Sequence, residues 1–259
     1  EQDVVVIAVK AHALAEILPL VRPLLGSHTV VVPALNGVPW WFTLNDGDNL
    51  ASTDPTGAIA AAIPAHQVLG AVVYPACSSP EPGVTRHNSG SRVVFGEPGA
   101  VAGSAPTARL SAFVALLKAA GFDAEASTDI KTEVWRKLLG NACFNPVSML
   151  TGSAMDLLID DPGIYRLFGA MMDETLAVGA SLGINPGIQT KDRIALTRKL
   201  GHIKTSMLQD AESGRAVEID AILGAVTELG RKRGIPTPTL DTVYALARMR
   251  ARTFGLLKE

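Results

Sequence analysis

Two unbroken apolar runs near the start of the chain, Val4-Val5-Val6-Ile7-Ala8-Val9 and Thr29-Val30-Val31-Val32-Pro33-Ala34-Leu35, most constrain what it can fold into. Runs of this kind, rich in β-branched residues and without polar alternation, mark strands buried on both faces of a parallel sheet. Residues 11–25 between them read as a helical segment, kinked or restarted at Pro19, where a backbone N–H is missing. A strand–helix–strand unit of this length joins parallel neighbours through a right-handed connection. Residues 68–75 and 92–96 continue the strand pattern, and the Pro/Ser/Gly-rich stretch 78–91 between them reads as a hairpin or an exposed loop. An amphipathic helix over residues 105–120 and a short strand over 122–127 complete this part of the chain.

From Ile130 the period changes. Helical spacing runs almost without interruption to the C-terminus, punctuated at Gly152, Gly183, Gly214 and Gly234-Ile235-Pro236. The expected organisation is a Rossmann-like parallel-sheet domain over residues 1–128 and an all-helical domain over 129–259, with no long linker. A chain of 259 residues, 47% hydrophobic and poor in aromatics, has the size and composition of a two-domain α/β protein. Its net charge of −2 gives no basic surface for nucleic acid. Cys77 and Cys143 stand far apart without metal-ligand spacing and read as small core residues in a reducing compartment. No apolar run reaches membrane-spanning length and no signal peptide precedes the first strand, so the expectation is a cytoplasmic enzyme or interaction domain.

Chemistry concentrates in one helix. In Thr132-Glu133-Val134-Trp135-Arg136-Lys137-Leu138-Leu139-Gly140-Asn141-Ala142-Cys143-Phe144-Asn145-Pro146, a lysine and two amides recur every four residues among apolar neighbours. Such residues share one side of a helix, drifting by about 40° per step. An unpaired polar group in a core costs roughly 1–3 kcal/mol and a charge more, so Lys137, Asn141 and Asn145 need partners. A bound polar substrate is one; a lysine snorkelling to solvent beside two capping amides is the other reading. Pro146 should bend or end the helix.

Other features have equally ordinary readings. Asn36-Gly37 stands at the carboxyl end of the second strand, the edge where open α/β sheets bind ligands, or is simply an Asn-Gly turn. Lys10 holds the matching place after the first strand. Ser206 reads as a helix N-cap and Glu218 as a first-turn acid favoured by the helix dipole. Trp40-Trp41 suits packing under a loop, the five scattered histidines suit structural or exposed roles, and Arg248, Arg250 and Arg252 suit a solvated helix end.

Taken together, the strand-end Val9-Lys10-Ala11 and Leu35-Asn36-Gly37, the helix Glu133-Val134-Trp135-Arg136-Lys137-Leu138 with Asn141 and Asn145-Pro146, and the later motifs resemble the ketopantoate reductase family. Those later motifs are Ser206-Met207-Leu208-Gln209-Asp210, Gly214-Arg215, Glu218-Ile219-Asp220 and Gly234-Ile235-Pro236-Thr237-Pro238. The resemblance implies a Rossmann-like domain followed by a helical domain of the 6-phosphogluconate dehydrogenase C-terminal type. It implies NADPH-dependent reduction of 2-dehydropantoate to (R)-pantoate, in pantothenate and coenzyme A biosynthesis, with Lys137 as proton donor. By the same resemblance Asn36, Asn141, Asn145, Ser206 and Glu218 contact substrate, and Lys10, Asn36, Ala76 and Glu218 contact cofactor. One further family asparagine falls near residues 153–155 and has no counterpart there.

No G-x-G-x-x-G occurs, so the family's amino-terminal glycine-loop portion, on the order of 60 residues with the cofactor's phosphate sites, is expected to be absent, and NADPH binding by these residues alone to be poor. Reduction of another 2-oxo acid and a non-catalytic, truncated helical assembly module are the alternatives. Long amphipathic helices leave room for a homodimer.

Overall fold

The computed structural model describes residues 1–257, which form two compact units. The first comprises residues 1–36, 41–48 and 57–134. It opens with β1 (Val4–Ile7), α1 (Leu14–Val21) and β2 (Val30–Pro33), the strands parallel and in register from Val4 opposite Val30 to Ile7 opposite Pro33. The expectation of burial on both faces fails for β1. Val5 and Ile7 are buried, whereas Val4 and Val6 are 39% and 58% exposed. Branched side chains favour extended backbone whether one face is covered or two, so a valine run specifies a strand without specifying its layers. α1 continues through Pro19 and gives way at Arg22 to a 3-10 turn, with no restart at the proline.

After α2 (Ala58–Ala62), β3 (Gly70–Val73) follows a parallel bridge between Val31 and Val68, with Leu69 N donating to Val31 O at 2.9 Å. The Pro/Ser/Gly-rich stretch is a hairpin of β4 (Ala76–Glu81) and β5 (Val84–Ser89). Cys77 lies exposed on this hairpin, contrary to its reading as a core residue, because a two-stranded ribbon has no layer to bury it. β6 (Arg92–Gly96) returns antiparallel to β3, and α3 (Ala108–Ala119), capped by Thr107, leads to β7 (Asp123–Ser127), parallel to β6. The sheet is therefore mixed, with β1, β2 and β3 running one way and β6 and β7 the other. Its core joins Val32, Leu69, Ala71, Val93, Phe95 and Ala124 to Leu110 and Val114 of α3.

The second unit comprises residues 37–40, 49–56 and 135 onward. The division falls inside α4 (Ile130–Thr151), one turn past residues 127–129, because Ile130 packs against Gly70 and Gly96 so closely that a Cβ there would lie 3.0 and 2.8 Å from it. α4 does not end at Pro146 but runs on to Thr151. It is followed by α5 (Met155–Asp160), α6 (Pro162–Ser181), α7 (Thr190–Arg198) and α8 (Ser206–Glu212). A π-helical turn over Asp220–Gly224 then leads into α9 (Ala225–Arg233), and α10 (Pro238–Thr253) closes the unit.

The four punctuating glycines all follow helix ends with positive φ, between 65° and 74°, the left-handed conformation that reverses a chain at a helix C-terminus. The two short segments from early in the sequence are tied in by hydrogen bonds from their backbone. Glu228 accepts from Ala51 N and Ser52 N, both at 2.9 Å, and Val38 N donates to Ala221 O at 2.8 Å. Among the described residues no helix is long and apolar enough to cross a membrane.

Candidate functional site

α4 is held by its apolar side. Trp135 is fully buried, its indole N–H donates to Thr175 O at 3.1 Å, and its ring lies over Gly179 of α6, where a Cβ would come within 2.4 Å of Nε1. The Arg193 guanidinium of α7 covers Gly140 and sits 5.5 Å from the Phe144 ring centroid. Cys143, fully buried on the same helix, has its thiol pushed up to about 12 by burial and is inert at neutral pH. The helix is thus fixed around most of its circumference. The stripe Lys137–Asn141–Asn145 is the side on which polar groups remain.

Burial brings the Lys137 ammonium down to about 8, and the Glu218 carboxylate works against that by favouring the charged form. Asn145 is only 5% exposed and Asn141 is half-buried, yet neither side chain makes a hydrogen bond among the described residues. Neither amide is among the buried polar atoms left without a partner in the described residues, so both keep access to solvent and stay open to a polar ligand. Lys137 as a whole is half-buried, and the desolvation of its ammonium weighs against free snorkelling to solvent.

Ser206 is the first residue of α8 but not its cap. Thr205 takes that role, accepting from Leu208 N at 3.3 Å, which leaves the exposed Ser206 hydroxyl without a protein partner among the described residues. Two adjacent hydroxyl residues make the cap ambiguous in sequence. α8 ends at Glu212; Gly214 at φ +65° and a hydrogen bond from Arg215 N to Asp210 O turn the chain back toward Glu218. Glu218 is half-buried just ahead of the π-helical turn, and its influence on Lys137 distinguishes it from a solvated first-turn acid. The structure thus pairs Lys137 with Glu218, strings Asn141 and Asn145 along the same helix, and leaves Ser206 on a separate helix with no hydrogen bond to the other four.

In the sheet unit, Lys10, Asn36 and Ala76 each stand three residues beyond the last residue of β1, β2 and β3. These strands run parallel, so all three positions lie at their carboxyl edge; Ala76 is exposed at the start of β4, opposite Ser89. Trp40 and Trp41 are both 1% exposed, as packing residues should be. Residues 153–155 span the end of the turn after α4 and the first residue of α5, with Ser153 O accepting from Ser148 Oγ at 2.8 Å and no amide side chain present. The arginines of the last helix end are solvated, as expected, with Arg250 and Arg252 exposed and the Arg248 side chain 41% exposed, but Arg248 is not without a partner. It is paired with Asp220 at 3.1 Å, beside Tyr244, and Arg250 donates to Leu150 O. Tyr244 and Arg248 are legible as neighbours four apart on a helix, but their partner 24 and 28 residues earlier is not.

A half-buried lysine whose pKa is lowered by desolvation, an acid that favours its charged form and two amides along the same helix suit proton donation to an oxygen that gains charge. Comparison with known proteins shows the family. Residues 1–99 match the family described as ketopantoate reductase PanE/ApbA, and residues 129–251 match its C-terminal part. A 2-dehydropantoate 2-reductase of Mesorhizobium japonicum is 44% identical over 252 residues, covering 95% of this chain and 76% of that protein. The fold superposes on a crystal structure from Ralstonia solanacearum with a TM-score of 0.93 at 44% identity, over 99% of this chain and 78% of that one. It superposes on 2-dehydropantoate 2-reductase from Methylococcus capsulatus with a TM-score of 0.81 at 28% identity, over 97% and 75% of the two chains. With a mixed α/β unit, a helical unit and both parts of the family pattern in order, this chain belongs to the ketopantoate reductase family of oxidoreductases.

Proposed function

We propose that the protein reduces the C2 carbonyl of 2-dehydropantoate to the hydroxyl of (R)-pantoate, a step of pantothenate and coenzyme A biosynthesis, with Lys137 as the proton donor. The observation that carries this reading is the half-buried Lys137, its ammonium desolvated and favoured in its charged form by Glu218, on a helix that also presents the Asn141 and Asn145 amides. NADPH, when bound, supplies the hydride. The strand-end positions suit such a cofactor: Lys10, Asn36 and Ala76 share one carboxyl edge, where Lys10 offers a cation to phosphate and Asn36 an amide to the nicotinamide or substrate.

The remaining chemistry belongs to the chain. Lys137 hands a proton from Nζ to the carbonyl oxygen as negative charge builds there, and its neutral amine is recharged from solvent. Glu218 keeps that amine protonated and accepts from a substrate hydroxyl. Asn141 and Asn145 hold hydroxyl and carboxylate oxygens, and the Ser206 hydroxyl donates to the carboxylate.

A proton donor must begin protonated, so kcat/KM should fall above about pH 8, tenfold per pH unit, as Lys137 loses its charge. A profile flat to pH 10 would remove Lys137 from the role.

A second reading, reduction of another 2-oxo acid, is favoured by residues 153–155, where the family's further substrate amide has no counterpart. Steady-state NADPH oxidation by the full-length gene product, with 2-dehydropantoate and a series of straight-chain, branched and aromatic 2-oxo acids, decides between them. The proposal requires 2-dehydropantoate to give the highest kcat/KM. A higher value for a 2-oxo acid without the 4-hydroxyl would overturn it.

A further inference from the structure

Glu218 is held at the end of an irregular segment. Ahead of it, Val217 N donates to Leu256 O at 2.9 Å; behind it, Ile222 N donates to Glu218 O at 3.0 Å and the chain enters the π-helical turn. A π turn has poorer hydrogen-bond geometry than an α turn and persists where its surroundings hold it. Here it is held from two sides. On one, Val38 N donates to Ala221 O, and Gly37, at φ +82°, lies so close that a Cβ would be 2.4 Å from that oxygen. On the other, Asp220 accepts from Tyr244 Oη at 2.5 Å and from Arg248 Nε at 3.1 Å, both from α10. Gly224 makes room for this, since a Cβ there would stand 2.8 Å from the Tyr244 hydroxyl.

We infer that Tyr244 and Arg248 are positioning residues for Glu218, acting through Asp220 to hold the π turn that aims its carboxylate at Lys137. This rests on the pairing of Lys137 with Glu218 described above. Neither residue belongs to the stripe on α4. Asp220 is faced by Tyr244 and Arg248; burial and then the hydrogen bond to Asp220 hold the Tyr244 phenol above its ordinary range, against Arg248 and Arg231, which favour the tyrosinate. Glu218 is the charge that acts on Lys137. Asp220 is thus a fixed anion with two donors, and the lever it provides is geometric.

The test reads Lys137 directly and needs no turnover. The Lys137 Cε resonance is followed against pH in the ligand-free, full-length protein carrying ¹³C-lysine, with thermal unfolding of each variant in parallel. Glu218→Gln should lower the titration midpoint from about 8, since the favourable charge is gone. Tyr244→Phe and Arg248→Gln should each move it the same way, by about 0.5 in pH, a threefold change in proton affinity. Adding Tyr244→Phe to Glu218→Gln should move it no further, because both act on one interaction. An unmoved midpoint in Tyr244→Phe and Arg248→Gln, with Glu218→Gln shifted, overturns the inference and leaves the catalytic assignment standing. No shift in Glu218→Gln removes the pair itself and the inference with it. A fall in melting temperature without a shifted midpoint makes the cluster merely structural and also overturns it.

Discussion

Lys137→Ala is expected to reduce kcat by about 10²–10⁴-fold, the usual contribution of a positioned general acid, while nicotinamide cofactor still binds. Of the proposed cofactor contacts, Lys10, Asn36 and Ala76 belong to the sheet unit and only Glu218 to the unit that holds Lys137. Fluorescence titration with NADPH and steady-state oxidation on the same preparation separate the two effects. Unchanged turnover would refute the assignment, and lost NADPH binding would make Lys137 a binding group instead.

The same side chain should carry a stability cost. Its pKa in the folded state, about 8, lies below the ordinary 10.5, so between those values the unfolded chain binds more protons than the native one. Stability from this group therefore rises with pH through that window, and the full cost of the buried charge is felt below about pH 8. Lys137→Met should accordingly be more stable than the parent at pH 7, by up to about 3 kcal/mol, and the difference should vanish by about pH 10.5. Urea midpoints at the two pH values measure it. A stability loss at pH 7 would show that the pairing with Glu218 outweighs desolvation.

Trp135→Ala should be the most destabilising single change in the helical unit. Removing a fully buried tryptophan costs about 3–5 kcal/mol, and here the Thr175 carbonyl also loses its indole donor. Trp135→Phe isolates that second part, at about 1–2 kcal/mol with most of the volume kept. Gly179→Ala probes the contact from the other side. Its methyl would fall 2.4 Å from an indole that has no space to move, so about 1–3 kcal/mol should be lost. If the contact is as described, Gly179→Ala should cost much less in a Trp135→Ala background. Additive losses in urea unfolding would contradict it.

Local relations are legible in the residues themselves. The stripe Lys137–Asn141–Asn145 follows from the four-residue repeat, and the helix ends at Gly152, Gly183, Gly214 and Gly234 follow from the freedom of glycine to take positive φ. The strand at residues 92–96 and the hairpin within 78–91 are likewise written in their own residues. Where local signals are degenerate, expectation and fold differ by one step. Thr205 and Ser206 are both good caps, and the chain uses the first. A valine run specifies β1 but not that Val4 and Val6 stay open to solvent. Pro146 suggests a bend or an end, and of the two α4 excludes the end by running on to Thr151.

What the sequence by itself determined is therefore the order of the elements, the punctuation of the helices and the spacing of the polar stripe, because each depends on residues within one or two turns of one another. Only the tertiary structure decided that Lys137 is desolvated and faced by Glu218, eighty-one residues later, and that Asp220 is held by Tyr244 and Arg248 of α10. Dielectric and charge act through space, and the chain distance between two groups does not predict whether folding will bring them together.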